Sequence, residues 1–273
     1  MDRHNRRRAR RRLLVWGVLA GLFLVWAAVA PLLAPNDPYL ADLSIARQPP
    51  SAQYPMGTDS LGRCLLSRIL AGAPATVYDS LLVVAVTFAL GSGIGVLCGY
   101  FGGKLDTVVM RLVDILLAFP GMILCIAVAG FLGSGMGNAV IALSVTGWTQ
   151  YARLARSRVL AMREDGFLQA ARISGSSHGK IILRHVLPNA MRVLIVTAAL
   201  SVGGTMLEMA SLSFLGLGAA APMAEWGVLL NEGRGLLQTN PNLVFCPGIF
   251  LFVAVMLSNL LGDSIRDVLD PQG

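Results

Sequence analysis

The residue types that most often do chemistry in proteins, cysteine and histidine, are few in this chain and widely spaced. They are Cys64, Cys98, Cys125, Cys246, His4, His178 and His185. No two cysteines form a short-spaced pair and no histidine lies near a cysteine, so the spacing fits neither a zinc site nor a small disulfide framework. We therefore predict that the cysteines are ordinary packing residues and that the chain holds no metal ion.

A phosphate-binding loop is also missing from the sequence. Such a loop ends in Gly-Lys-Ser or Gly-Lys-Thr, whereas Gly103 and Lys104 are followed by Leu105. All three histidines lie in polar, basic segments assigned to the cytoplasmic side, so no nucleophile on the membrane or outer side has a histidine base nearby. We therefore expect no catalytic site and no cofactor.

Glu208 is the ionisable residue with the most informative position. It lies inside an apolar run from Val193 to Leu217, where a charged group is costly and normally faces a bundle interior, a water-filled path or a partner charge. Glu208 could line a transport route or form only structural hydrogen bonds, and both remain open. The nearby Met206 and Met209 could offer soft ligands on the same route, or fill gaps in the core.

The composition indicates which elements position these residues. Hydrophobic residues make up 55% of the 273 residues, charged residues make up 14%, and the mean hydropathy is +0.66. Because this is too apolar for an ordinary soluble domain, we predict an all-α integral membrane protein. Six apolar stretches are predicted to be membrane-spanning helices. They are Leu13 to Leu33, Val77 to Phe101, Leu112 to Leu132, Gly137 to Ala152, Val193 to Leu217 and Phe245 to Gly262.

Positive charge is distributed unequally across these spans. Seven arginines fall within the first twelve residues, directly before the first apolar run. With the amino terminus inside, only four of the 22 lysines and arginines lie on the outer side. The positive-inside rule therefore places both termini in the cytoplasm. The basic tail could also contact anionic lipid headgroups. The first span is expected to be retained, because Pro31 would follow its A-x-A cleavage pattern.

Two further patterns concern helix contacts inside the membrane. Gly91, Gly95 and Gly99 recur every four residues and line one face of the second span, where another backbone can approach closely. That face could pack within this subunit or against a second subunit. Asp114 follows Arg111 by three residues, a spacing that predicts an ion pair at the inner end of the third span.

A polar insert, EDGFLQAARISGSSHGKIILRHVLPN, separates the fourth and fifth spans on the cytoplasmic side. A short helix is predicted from Phe167 to Ile173, and Gly175 stands where a helix would end in a left-handed residue. Ser176 or Ser177 could cap a second helix that runs to about Val186 and ends at Pro188. Phe167, Leu168 and Ile173 would supply apolar contacts. The insert could pack on its own bundle or fit a groove on a soluble partner.

The insert resembles a known element. QAARISG followed by IILRHVLPN is similar to the E-A-A, G and L-P pattern in the transmembrane subunits of binding-protein-dependent ABC importers. In that family the loop docks on the ATPase subunit, and the resemblance implies the same coupling role here. The implied positions are Gln169, Ala170, Ala171, Gly175, Ile181, Leu187 and Pro188. Gln169 stands where the family has glutamate, so a salt bridge made by that glutamate is not inherited.

Other segments resemble one branch of this family, the second permease subunit of dipeptide, oligopeptide and nickel importers. MGTDSLGRCLLSRILAGA, GYFGGKLDTVVMRLVDILLAFP, SFLGLG and EWG carry the resemblance, which spans most of residues 55 to 265. Cys64 stands where the branch has aspartate. The resemblance implies a type I ABC importer permease fold with six spans. Residues 1–76 would hold the basic tail, first span and external linker, and residues 77–273 a five-helix core with the coupling loop at about 153–192.

The same resemblance implies the partners. These are a homologous permease, two cytoplasmic ATPase subunits that hydrolyse ATP, an external solute-binding protein and membrane lipid, with no nucleic acid, in the bacterial cytoplasmic membrane. LGAAAPMAEWG and VLLNEGR resemble the nickel branch somewhat more than the peptide branch, so nickel is the first substrate expected and di- or oligopeptides are the alternative. A stand-alone secondary transporter or channel would carry several intramembrane ionisable groups, whereas this chain has chiefly Glu208.

Overall fold

The computed structural model describes residues 3–163 and 165–269, with side chains omitted at positions 3–6, 170 and 172. Within these ranges the regular secondary structure is helical, apart from one isolated bridge between Thr58 and Cys64. The α-helices are α1 (Arg3–Val29), α2 (Leu65–Pro74), α3 (Ser80–Phe101), α4 (Gly103–Leu117), α5 (Gly121–Leu132), α6 (Met136–Met162), α7 (Gly166–Ile173), α8 (His178–Ile181), α9 (Leu187–Phe214), α10 (Trp226–Gly233) and α11 (Asn242–Leu269). The all-α prediction is confirmed.

Four helical stretches in the described ranges are long and apolar enough to cross a membrane. They are Arg7–Leu33, Leu65–Phe101, His178–Phe214 and Asn242–Leu269. A fifth is added if α4 and α5, which meet at 93°, count as one broken span. The predicted span from Gly137 to Ala152 lies inside α6, whose apolar part is short and is followed by a basic half.

The prediction of one uninterrupted helix from Leu112 to Leu132 is wrong. The chain leaves the helical conformation at Pro120, which has ψ 122°, and α5 begins at the next residue. Proline lacks the N–H that a helix interior needs and disfavours helical geometry in the residue before it, here Phe119. The physical cause of the bend is therefore local.

Proline ends neither of two other helical stretches, and at Pro188 this is contrary to the sequence prediction. A π-type turn at Ala75–Asp79 follows Pro74 and joins α2 to α3. A second one at Ile182–Val186 precedes Pro188 and joins α8 to α9, so the second helix of the insert continues directly into the fifth span. At Ile182–Val186 the wider turn provides room where the ring of Pro188 would crowd a regular helix. The expected boundary after residue 76 likewise falls inside a continuous helical stretch.

Three clusters of buried side chains hold the described helices together. The first joins α1, α2, α9, α10 and α11 around Trp226, whose indole Nε1–H donates to the carbonyl of Ile69 at 2.9 Å. The second joins α3, α6 and α9 to the insert, and the third joins α5, α6 and α9. The insert is thus part of the packed bundle on one side.

Gly91, Gly95 and Gly99 lie against α6 of the same chain. A Cβ on Gly95 would clash with the carbonyl oxygen of Ala152 and come within 2.8 Å of the Ala155 Cβ. Similar contacts with α6 surround the other two glycines. Because no side chain intervenes, the two backbones approach closely along this face.

Candidate functional site

The insert between α6 and α9 contains α7, a tight turn and α8. Gly175 has φ +73°, the left-handed conformation that favours glycine at the end of a helix. Ser177 occupies the N-cap of α8 with ψ 152°, but its side chain makes no capping hydrogen bond. The predicted first helix and the turn are therefore present, whereas the Ser177 side chain does not form the predicted capping hydrogen bond.

Two buried side chains attach the insert to the membrane bundle. Leu168 and Ile181 are each 1% exposed and pack in the cluster that includes Tyr151 and Val159 of α6. In addition, the Tyr100 hydroxyl at the end of α3 lies 2.9 Å from His178 Nδ1. The insert is therefore in direct contact with both α3 and α6.

The opposite side of the insert exposes apolar side chains. Ile173 is 88% exposed, Leu183 is 66% exposed and Phe167 is 42% exposed. We call these three residues and the turn at Gly175 the insert surface. Leu183 was missed by sequence reasoning, because its orientation depends on the π-type turn that contains it.

The residues predicted to couple the insert to a partner are not all on this surface. Gln169, Gly175 and Pro188 are exposed, and Ala171 and Leu187 are half-buried. Ile181 is buried against the bundle, as is Leu168, which was predicted only to supply an apolar contact. The coupling role of Ile181 stays a prediction. The side chain of Ala170 lies outside the described residues.

Ion pairs join α4 to α6 on the same side of the bundle. Arg156 Nη2 lies 2.6 Å from Asp106 Oδ2, and Arg153 Nη2 lies 2.7 Å from Asp114 Oδ1. The predicted partner of Asp114 was Arg111, and the structure pairs it with α6 instead. The choice of ion-pair partner for Asp114 depends on the nearby α6 helix more than on the three-residue spacing to Arg111 within α4.

A cavity of about 170 Å³ opens at the surface of the bundle where α4 bends into α5, and Glu208 is exposed in it. Glu208 is the only carboxylate among its lining residues, and none of them is basic. The lining residues are Leu117, Gly121, Met122, Cys125, Leu143, Thr146, Gly147, Thr149, Gln150 and Glu208. Within the described part of the chain, Glu208 makes none of the ion pairs or side-chain hydrogen bonds. The site therefore presents a single negative group among neutral polar and sulfur-containing side chains.

Met206 and Met209 do not share this cavity with Glu208. Met206 is 2% exposed and packs in the cluster around Trp226, while Met209 is completely buried against α5 and α6. Along α9, Met209 is one residue and Met206 is two residues from Glu208, so they point about 100° and about 160° away from it. The predicted grouping of the three residues is corrected accordingly, and Met122 and Cys125 are the sulfur-containing residues beside Glu208.

On the side opposite the insert, two sequence motifs meet in a buried ionic cluster. Arg63 Nε lies 2.6 Å from Asp59 Oδ2, and both Arg63 and Arg68 donate to Glu232, at 3.0 and 3.1 Å. The Arg68 side chain is completely buried. Sequence reasoning used these arginines only for orientation. The Asp59–Arg63 spacing of four residues was the one available signal.

Glu225 is a second buried acid near this cluster. It is 0% exposed, accepts a hydrogen bond from the Thr76 hydroxyl at 2.9 Å, and accepts another from the Val228 amide at 3.2 Å. Burial raises the pKa of the Glu225 carboxyl, and these hydrogen bonds oppose the rise. Glu225 therefore links the end of α2 to the start of α10.

Comparisons with known proteins agree with this arrangement. Residues 91–272 match the family described as "Binding-protein-dependent transport system inner membrane component". The structure is also similar to inward-facing conformations of the MetNI methionine ABC transporter, with a TM-score of 0.59 and 21% identity, covering 73% of this chain and 95% of that one. That likeness supports the type I importer permease fold.

Curated relatives are more similar in sequence. The dipeptide transport system permease protein DppC of Alkalihalophilus pseudofirmus is 39% identical over 92% of this chain and 82% of its own length. The nickel transport system permease protein NikC of Escherichia coli is 38% identical over 94% of both chains. The glutathione transport system permease protein GsiD of Pectobacterium atrosepticum is 39% identical over 93% of this chain and 86% of its own.

These matches cover nearly the whole chain, so the resemblance inferred from the insert and the outer motifs is confirmed. ATP hydrolysis in such importers lies in separate ATPase subunits, and the family is not catalytic. The alternative of a transporter or channel that works alone is thereby removed. The chain belongs to the family of binding-protein-dependent transport system inner membrane components and is a permease subunit of an ABC importer.

Proposed function

We propose that this permease imports a small solute that carries a positive charge, with nickel ion or a nickel chelate as the first candidate and a di- or oligopeptide as the second. The chain forms the translocation path with a homologous second permease. Two cytoplasmic ATPase subunits drive it, and an external binding protein delivers the solute. It crosses the bacterial cytoplasmic membrane six times, with both termini inside.

The observation that carries this proposal is the cavity beside Glu208. A carboxylate at membrane depth is costly unless a positive group or water compensates it. No basic side chain lines the cavity, so the cation passing through would supply the missing charge. A metal ion and the terminal ammonium of a peptide both meet this requirement.

The nickel candidate is favoured by the sulfur atoms beside the carboxylate. Met122 and Cys125 lie one turn apart on α5 and both line the cavity. Thioether and thiol sulfur atoms suit soft or borderline transition metals, whereas an ammonium gains nothing from them. The peptide candidate is favoured by the dipeptide relative, whose 39% identity equals or exceeds that of the nickel relative.

Coupling to ATP is assigned to the insert surface. Exposed Ile173, Leu183 and Phe167 present an apolar patch on a cytoplasmic element, which is the kind of patch that marks a protein interaction site. Because Leu168 and Ile181 anchor the other side of the insert, an ATPase that pulls on this surface would move α3, α6 and α9 together. The half of α9 farther from the insert carries Glu208.

Solute uptake by cells tests the substrate assignment. In a strain deleted for this gene, we would measure uptake of labelled nickel and of labelled dialanine, and then restore the wild-type gene, Glu208→Gln or Glu208→Asp. We expect the wild type to restore uptake of one solute, Glu208→Asp to retain part of it, and Glu208→Gln to lose most of it. Deletion without effect on either solute would contradict the substrate group, and full uptake by Glu208→Gln would contradict the role of the carboxylate.

Substitution of Gly175 tests the coupling assignment. Gly175→Trp adds bulk to the centre of the insert surface, and nothing in the chain lies within 4 Å of the added Cβ. We expect normal membrane insertion and loss of substrate-stimulated ATP hydrolysis in the assembled complex. Gly175→Ala imposes the same backbone strain with little bulk, and Gly235→Trp adds the same bulk at an open position on the opposite side. Normal stimulation with Gly175→Trp would contradict the docking role.

A further inference from the structure

The amino-terminal arginines and the first membrane span form one continuous helix. α1 begins at Arg3, and the candidate span in this helix runs from Arg7 to Leu33. Only 11% of the apolar window of that span is buried inside the chain, so most of its surface is free of contacts within this chain. The arginines are therefore held at a defined distance from the membrane by a rigid element.

That distance corresponds to the lipid headgroup layer. Arg12 directly precedes the apolar run, and Arg7 lies five residues further out, or about 8 Å along the helix axis. The polar layer on each side of a bilayer is about 5 to 8 Å thick. All the arginine positions from 7 to 12 consequently lie at the level of the phosphates.

The charges of these arginines are not neutralised within the chain. The side chains of Arg7, Arg8, Arg10, Arg11 and Arg12 are exposed, and none of the five makes an ion pair in the described part of the structure. At 100° per residue they cover an arc of about 200° around the helix. The remaining sector holds Ala9, which is 7% exposed.

An arc this wide distinguishes between possible partners. A groove on a folded protein would contact one stripe of a helix, whereas lipid headgroups surround an exposed helix at this depth. Each guanidinium can bind a phosphate through two parallel hydrogen bonds. We propose that the arginine arc of α1 is a binding site for the phosphate headgroups of anionic phospholipids in the inner leaflet, and that it selects these lipids over zwitterionic ones around the first span.

The selectivity for anionic lipid can be measured directly on the purified transporter. The full chain, purified with its partner subunits, is placed in nanodiscs that contain spin-labelled phosphatidylglycerol or spin-labelled phosphatidylcholine. The motionally restricted fraction of each label reports the relative association constant. We expect the wild type to prefer phosphatidylglycerol, and the preference to fall when salt is raised from 0.05 to 0.5 M, because salt screens exposed charges.

Variants locate the preference on α1. Replacing all five arginines by glutamine should bring the ratio of association constants close to one, while replacing them by lysine should keep most of it. The double variant Arg7→Gln/Arg8→Gln keeps the other three arginines to orient the helix. Each of its two substitutions should lower the ratio of association constants by at most about fivefold. The control is Arg158→Gln with Arg192→Gln, which removes two exposed arginines elsewhere.

The outcomes separate lipid binding from the alternatives. An unchanged ratio in the Arg7/Arg8 double variant and in the five-glutamine variant would overturn the proposal, as would a wild type without preference for phosphatidylglycerol. An equal loss in the Arg158/Arg192 control would also overturn it, because the preference would then reflect net charge alone. The site would be established if only the glutamine variants of α1 lost the preference for phosphatidylglycerol and the lysine variant kept it.

Discussion

Glu232 neutralises two buried arginines on the side of the bundle opposite the insert, and its replacement by glutamine tests how much this cluster stabilises the fold. Arg68 Nη2 donates to both Glu232 oxygens, at 3.2 and 3.1 Å, and Arg63 Nη2 donates at 3.0 Å. Arg63 keeps Asp59 as a partner, but Asp59 Oδ2 is 3.6 Å from Arg68 Nε. In Glu232→Gln, Arg68 therefore loses its main counter-charge.

The size of the effect follows from burial. The Arg68 side chain is 0% exposed and that of Glu232 is 28% exposed, so solvent replaces the lost charge only in part. Removing one partner from a fully buried pair costs about 3 to 5 kcal/mol. Because glutamine keeps one hydrogen-bond acceptor and Glu232 is partly wet, we expect about 2 to 3 kcal/mol, which corresponds to about 4 to 12 °C in the unfolding temperature.

A thiol-reactive fluorescent dye measures this unfolding, because Cys64, Cys98 and Cys125 are each 2% exposed or less. The matched control is Asp114→Asn, which breaks a pair whose side chains are 56% and 58% exposed and should cost less than about 1 kcal/mol. The reasoning would be refuted if both variants melted at the same temperature, or if Glu232→Gln melted with the wild type.

Three further substitutions test individual contacts. Gly95→Ala forces α3 away from α6 and should lower the free energy of unfolding by about 1 to 3 kcal/mol in the same thermal assay. The control Gly93→Ala, with nothing within 4 Å of its added Cβ, should be neutral or slightly stabilising. Equal effects of the two substitutions would contradict the close packing of α3 and α6. Cys64 occupies the N-cap of α2 without a side-chain hydrogen bond, so Cys64→Ser should stabilise by about 0.5 to 1 kcal/mol relative to Cys64→Ala, followed by tryptophan fluorescence. Burial raises the pKa of Glu225 from its ordinary value of 4.5, so the folded state binds the proton more tightly and stability should fall as pH rises above about 4.5. In Glu225→Gln, the dependence of stability on pH should be flatter between pH 4 and 8. An unchanged slope would contradict the role of the Glu225 carboxyl in this dependence.

Much of the insert could be predicted because its signals are local. Gly175 has the left-handed conformation that its position after a short helix indicates, and α7 spans the predicted residues. By contrast, Pro188 was expected to end a helix, and only the π-type turn before it, which has no sequence signature of its own, allows the helix to continue. The exposure of Leu183 depends on the same turn.

The candidate site divides in the same way. That Glu208 lies at membrane depth follows from the apolar run around it, but that it faces a cavity while Met206 and Met209 are buried depends on which helices surround α9. Hydropathy reports how apolar a helix is and says nothing of its rotation. The bend at Pro120, which opens one wall of the cavity, has a local cause, but its 93° angle is visible only in three dimensions.

The sequence by itself determined that the chain is an α-helical membrane protein, which end of each span is basic, and that its insert matches an importer permease. Composition, charge and short motifs are properties of neighbouring residues, so they survive without a structure. The tertiary structure decided which side of the insert is free, which residues meet in the cavity, and that Arg63 and Arg68 share Glu232 across more than 160 residues of chain. Such contacts depend on how helices pack against one another, and packing is determined by the whole chain at once.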